Sequence, residues 1–134
     1  MTQRQIELIT NSISHIVVQS DEIGMEFYRR LFEEHPQTLS MFKTEIQEQS
    51  KKLMELLITA VKSIDRLESL DLSGLGKKHE TYGVKPEHYV VVKKIFLDLF
   101  EEKLGPDYDS ETKGAWNDLF DDLSKSMLDG TVQT

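Results

Sequence analysis

Six residues of this 134-residue chain have types and positions that could do chemistry: the four histidines, Gln49 and Tyr28. The histidines stand at 15, 35, 79 and 88. None forms a His-x-x-His or His-x-x-x-His pair, so the helical ligand spacing of a zinc protease or a di-iron site is missing. His15 sits beside an apolar stripe and reads as a surface residue. His35 falls at a helix end, where an imidazole interacts favourably with terminal carbonyls. His88 falls in the first turn of a helix and reads as exposed. His79 lies seven residues after Leu72 and four after Leu75, on their apolar face. It is either a buried neutral histidine bonded to a carbonyl or an axial ligand offering a neutral imidazole nitrogen to haem iron.

Gln49 interrupts an otherwise apolar stripe. It is either an exposed glutamine near a helix start or a buried amide that needs partners, at a cost of about 1–3 kcal/mol if it finds none. Tyr28 fits an apolar face with its ring, and its hydroxyl must reach either water or a polar partner. Lys77 and Lys78 flank His79 as solvated lysines or as counter-charges to a cofactor's carboxylates. Glu33–Glu34, Glu101–Glu102 and Asp121–Asp122 read as solvated helix faces. No phosphate-binding loop and no nucleophile motif is present.

The elements that must position these residues read as helices. Thr2 is an N-cap with Gln5 three residues on, followed by Ile6, Ile9, Ile13, Ile16 and Val17 at helical spacing. A second helix from Ser20–Asp21 buries Ile23, Phe27, Tyr28, Leu31 and Phe32. Pro36 ends it, because proline biases His35 away from helix, and opens a short helix through Phe42. A long helix over about residues 45–69 carries Ile46, Gln49, Leu53, Leu56, Leu57, Ala60, Ile64 and Leu67. A short helix carries Leu72, Leu75, Gly76, His79 and Tyr82 and stops at Gly83. Pro86 opens a helix burying Tyr89, Val92, Phe96, Leu99 and Phe100, closed by Gly105–Pro106. A last helix over about residues 108–129 buries Ala115, Trp116, Leu119, Phe120, Leu123 and Met127.

Length and composition bound the answer. The chain is expected to form one domain, residues 1–134. Sixteen basic against 24 acidic residues give a net charge of −8, which argues against nucleic acid or an anionic membrane as the main partner. There is no cysteine, so thiolate chemistry, iron–sulfur clusters and cysteine zinc sites are excluded. No apolar run approaches the roughly 20 residues of a membrane span, and no signal peptide is visible. A cytoplasmic location is expected. Counting glycine but not tyrosine, apolar residues make up roughly 40% of the chain, against about 45–50% for an ordinary domain. So lean a core gains from a cofactor to bury.

The ordered set of residues resembles the globins, and within them the bacterial single-domain haemoglobins and the globin domain of flavohaemoglobins. The resemblance spans nearly the whole chain. It rests on Phe27-Tyr28, His35-Pro36, Phe42, Gln49 through Leu53, Lys78 through Gly83, Lys85 through Tyr89, and Ala115-Trp116. It implies an all-α, three-on-three helical sandwich around one haem b. His79 then matches the proximal iron ligand and Phe42 the aromatic that wedges the haem. Tyr28, Gln49 and Leu53 match the distal residues around O2. Lys78 and Tyr89 match proximal-side positions at the cofactor. The glutamate that flavohaemoglobins place in the last helix is replaced: a gapless match from Trp116 puts Thr131 there, with Asp129 two residues away.

The function implied is reversible O2 binding, with Tyr28 and Gln49 donating to charge that develops on the ligand. Nitric oxide dioxygenase activity would need an external electron donor or reductase. The gases O2, NO and CO are the expected ligands, and the chain is expected to be a monomer or weak dimer. The competing reading is a haem-based gas or redox sensor that signals through a separate protein. A third is a haem-free interaction module, against which His79 argues.

Overall fold

A computed structural model describes residues 1–129 and 131. Among them there are six α-helices and no strand. They are α1 (Gln3–Val17), α2 (Ser20–Glu34), α3 (Ile46–Lys62), α4 (Leu72–Thr81), α5 (Pro86–Leu104) and α6 (Ser110–Leu128), with a 3-10 helix over Pro36–Met41. Local chemistry sets the ends. Thr2 and Gln5 form the reciprocal capping box at α1. Asp71 caps α4 through the Gly74 N–H and Asp109 caps α6 through the Thr112 N–H. Proline stands in the first turn of the 3-10 helix and of α5, where its missing N–H costs nothing.

The helices stack in two layers of three. Helices α1, α3 and α4 form one, and α2, α5 and α6 the other. Across them α3 packs on α2, and α1 and α4 pack on α6. Within them α5 packs on α2 and α6, and α1 on α3. Ile9, Ile16, Ile23, Phe96, Leu99, Phe100, Trp116 and Leu119 are buried at the centre. Among the described residues, α3 and α4 make no comparable contact with one another. Within that layer α3 and α4 stand apart with a gap between them, α3 packed on α2 and α4 on α6.

Three features depart from the sequence reading. The long helix ends at Lys62 rather than near 69, and Leu67–Ser69 forms a separate 3-10 turn. Its C-cap Ser63 and the following Asp65 are residue types that favour local turns over helix interiors, and the Arg66 N–H returns to the Ser63 carbonyl at 2.8 Å. The buried face of α3 is Ser50, Met54, Leu57, Ala60 and Val61; it shares Leu57 and Ala60 with the expected stripe, whose other α3 residues Ile46, Gln49, Leu53 and Leu56 lie one residue, or roughly 100°, to its side. Those four residues are half-buried. Tyr82 lies beyond the end of α4 and is 55% exposed, and Val17 is also exposed.

Candidate functional site

Two walls face the gap, and each is set by a glycine. On the first wall α2 crosses α3 at Gly24, where an added Cβ would fall 2.1 Å from the Ser50 hydroxyl oxygen. That close crossing fixes the positions of Tyr28, one turn after Gly24, and Gln49, which precedes Ser50. Tyr28 is 3% exposed. Its ring makes edge contacts with Phe27 at 5.0 Å and Phe42 at 5.3 Å, and Phe32 closes the group at 5.5 Å from Phe42. Phe42 itself follows the 3-10 helix in extended conformation and is half-buried.

Burial pushes the Tyr28 phenol up to about 12, while the Gln49 side chain bonds to its hydroxyl and pulls weakly the other way. The phenol therefore keeps its proton at any physiological pH. The Gln49 amide is held from its other end: the Thr44 hydroxyl donates to Gln49 Oε1 at 3.1 Å. Leu53, one turn on from Gln49, is half-buried against the core.

On the second wall α4 touches α6 through Gly76, where an added Cβ would fall 1.9 Å from the Met127 carbonyl oxygen. His79 is three residues further on. Its backbone is pinned by the helix end. The Gly83 N–H donates to the Glu80 carbonyl and the Val84 N–H to the His79 carbonyl, both at 3.0 Å, with Gly83 at φ +92°. This is the paired-bond stop that glycine permits. Burial lowers the His79 pKa, so its imidazole is neutral at neutral pH. Its Nδ1 lies 3.3 Å from the Tyr89 hydroxyl. With Nδ1 so engaged, Nε2 is the nitrogen left to serve as a ligand.

The expected site residues thus fall into two groups. Tyr28, Phe42, Gln49 and Leu53 gather on the α2–α3 wall, and His79 of α4 meets Tyr89, at the start of α5, on the second wall. Lys78 is exposed, and its ammonium makes no ion pair among the described residues. Asp129 is exposed at the end of α6, and the Thr131 hydroxyl turns back to the Leu128 carbonyl at 2.8 Å. Among the described residues, then, Tyr89 is the hydrogen-bond partner of the His79 ring, and no carboxylate is. His88 is half-buried rather than exposed, and its Nδ1 accepts the Lys85 N–H at 2.8 Å, capping α5. Thr44, Gly24 and the cap made by His88 were not read from the sequence. An isolated glycine inside a helical pattern can mark a packing constraint, and Gly24 is such a glycine.

No cluster of three or more His, Asp or Glu side chains forms a metal site among the described residues. None of their helices is long and apolar enough to cross a membrane. The donor set nonetheless suits a flat metal cofactor held between the walls. It offers one neutral imidazole nitrogen on one side, and hydroxyl and amide donors among aromatic and aliphatic carbon on the other.

Comparison with known proteins agrees with this fold. The chain is 34% identical to a globin-like protein of Aquifex aeolicus over 96% of its own length and 92% of that protein's. It is 30% identical to flavohemoprotein A of Dictyostelium discoideum and 27% identical to the flavohemoprotein of Bacillus subtilis, spanning 33% of the length of each. A bacterial globin from Campylobacter jejuni superposes with a TM-score of 0.85 at 28% identity, over 96% of this chain and 95% of that one. An engineered carbene transferase from Rhodothermus marinus, to whose parent nitric oxide dioxygenase activity is ascribed, gives the same score and identity over 93% and 89%. The globin family model matches residues 25–127, which hold both walls of the gap, and the chain belongs to the globin family.

Proposed function

We propose that residues 1–134 act as one domain that binds haem b between the two walls, holds O2 reversibly beside Tyr28 and Gln49, and oxidises nitric oxide when an external donor supplies electrons. The observation that carries the reading is the pairing of opposed chemistries. A neutral, half-buried imidazole with Nδ1 occupied stands on one wall, and a buried, protonated phenol beside an oriented amide stands on the other. Bound haem supplies the ferrous iron at which a diatomic gas is held and from which the gas draws electron density.

His79 offers Nε2 as the proximal ligand, and Tyr89 fixes the ring that carries it. Tyr28 donates its hydroxyl proton to a ligand that gains negative charge, in a setting where aromatic carbon excludes water and strengthens the bond. Gln49 supports that donation. Leu53 would limit the room for a ligand, and Phe42 would pack against the cofactor. Lys78, which is exposed, would meet the cofactor's carboxylates.

Oxidation of nitric oxide by O2 to nitrate takes up one further electron per turnover, which the donor provides. Among the described residues no carboxylate bonds to His79, so the imidazole carries less anionic character than one bonded to glutamate. That favours holding O2 over cleaving it. The flavohemoprotein and carbene transferase relatives support a haem gas chemistry of this kind. Titration of the purified chain with hemin tests the reading: a sharp Soret band at one equivalent, lost in His79→Ala, is expected. A chain that stays colourless, or a His79→Ala variant that binds hemin normally, defeats it.

A further inference from the structure

We infer that Thr44 is a positioning residue that sets the polarity of the gas pocket by fixing which end of the Gln49 amide faces it. The inference rests on the reading of the gap as a gas pocket. A glutamine side chain has a donor end and an acceptor end of nearly the same shape. With nothing to distinguish them, the amide presents either. Thr44 distinguishes them. Its hydroxyl donates to Gln49 Oε1 at 3.1 Å, which occupies the acceptor end and turns Nε2 inward.

The consequence appears at Tyr28, where Gln49 acts on the phenol as a donor and eases loss of the proton against the effect of burial. With Oε1 taken by the Thr44 hydroxyl, the end of the amide left for the Tyr28 oxygen is the Gln49 N–H. That leaves the Tyr28 proton as the one aimed at a ligand. Donors in such a chain point the same way and polarise one another. An amide flipped by half a turn would instead accept the Tyr28 proton and draw it away from the ligand.

Thr44 is exposed, in the segment between Phe42 and α3, and Gln49 is half-buried. Replacing Thr44 therefore disturbs no core packing, and its effect is read through Gln49. The experiment compares Thr44→Val, which keeps the shape and loses the hydroxyl, with Thr44→Ser, which keeps the hydroxyl. Both are made in the natural chain and in the Gln49→Leu background, all loaded with hemin. Three quantities are read: the O2 dissociation rate, the iron–carbon stretching frequency of the CO complex, and the side-chain amide resonances of 15N-labelled Gln49.

Thr44→Val is expected to speed O2 release about threefold to tenfold, the weight of one ordinary hydrogen bond. It should shift the CO frequency towards a less polar pocket and move the Gln49 amide resonances. Thr44→Ser should stay within about twofold on the same scale. In the Gln49→Leu background Thr44→Val should have no effect, because the two residues act as one unit. An unchanged off-rate and CO frequency in Thr44→Val overturns the inference, as does an equal effect with and without Gln49. A chain that takes up no hemin defeats the pocket reading itself, and this inference with it.

Discussion

Gly76 meets the backbone of Met127 so closely that a Cβ there would lie 1.9 Å from the carbonyl oxygen. Helix α4, only 10 residues long, reaches α6 because that position carries no side chain, and His79 inherits its place from the contact. Gly76→Ala gains up to about 1 kcal/mol of helix propensity but must displace backbone, which costs about 1–3 kcal/mol or more. Destabilisation and weaker hemin binding are expected together. Gly24→Ala meets a serine hydroxyl at 2.1 Å and a methionine side-chain carbon at 3.0 Å, and both can rotate away. Its cost should be smaller. Urea unfolding and hemin titration of the two variants check the order, and equal losses would refute it.

Acid should release the cofactor through His79. The folded chain holds this imidazole neutral with its pKa lowered by burial, whereas the unfolded histidine binds its proton near pH 6.5. The unfolded state therefore binds more protons below about that pH, and stability falls as pH drops through it. Iron ligation needs the same neutral form and falls in the same direction. Hemin affinity measured from pH 8 to pH 5 should decline on the acid side, and the urea stability of the cofactor-free chain should fall over the same range, less steeply in His79→Ala.

Tyr28 should hold its proton far into alkali. Its folded pKa is pushed up to about 12 from an unfolded value near 10. The stability linked to its burial is thus complete below about pH 10 and lost as pH rises towards 12. Tyr28→Phe removes a donor facing developing charge, and such bonds carry about 1.5–3 kcal/mol. O2 dissociation should speed up roughly tenfold to a hundredfold. Stopped-flow release into CO measures it, and a rate unchanged by Tyr28→Phe would remove the phenol from the mechanism.

The start of α5 depends on His88. Its Nδ1 is the acceptor for the Lys85 N–H at 2.8 Å, and Tyr89 follows directly. His88→Ala should cost about 0.5–2 kcal/mol, the usual range for a lost cap. His88→Gln should restore most of it, since glutamine serves the same position in a capping box. Thermal melts compare the three proteins, and a glutamine variant no better than alanine would argue that the imidazole does more than cap.

Most helices were legible because their signals are local, whereas the grouping of Tyr28, Gln49 and His79 came from the resemblance of the whole ordered set of residues. Thr2 with Gln5, Pro36, Gly83 and Pro86 mark ends by conformational preference alone, and each stands where that preference puts it. What could not be read depends on distance in space. Nothing near Thr44 says that its hydroxyl meets Gln49, and the cap at Lys85 is made by a histidine, an uncommon residue for that role. The end of α3 at Lys62 was missed because no proline or glycine marks it. The buried face of α3 was read in part for a related reason: Leu57 and Ala60 of the expected stripe are buried, but Met54 and Val61 beside them are apolar too, and periodicity alone does not rank such neighbours.

These neighbouring faces of α3 have a consequence for the life of the protein in a cell. One stripe of α3 is covered by its own chain, and the other, Ile46, Gln49, Leu53 and Leu56, is only half covered. A newly made chain that has not yet met its cofactor carries an oily strip that other unfolded chains and quality-control machinery can grasp. A cofactor bound beside α3 would cover part of that strip and stabilise the chain by mass action. The amount of this protein that survives should therefore follow the supply of haem, even when the rate of synthesis does not change.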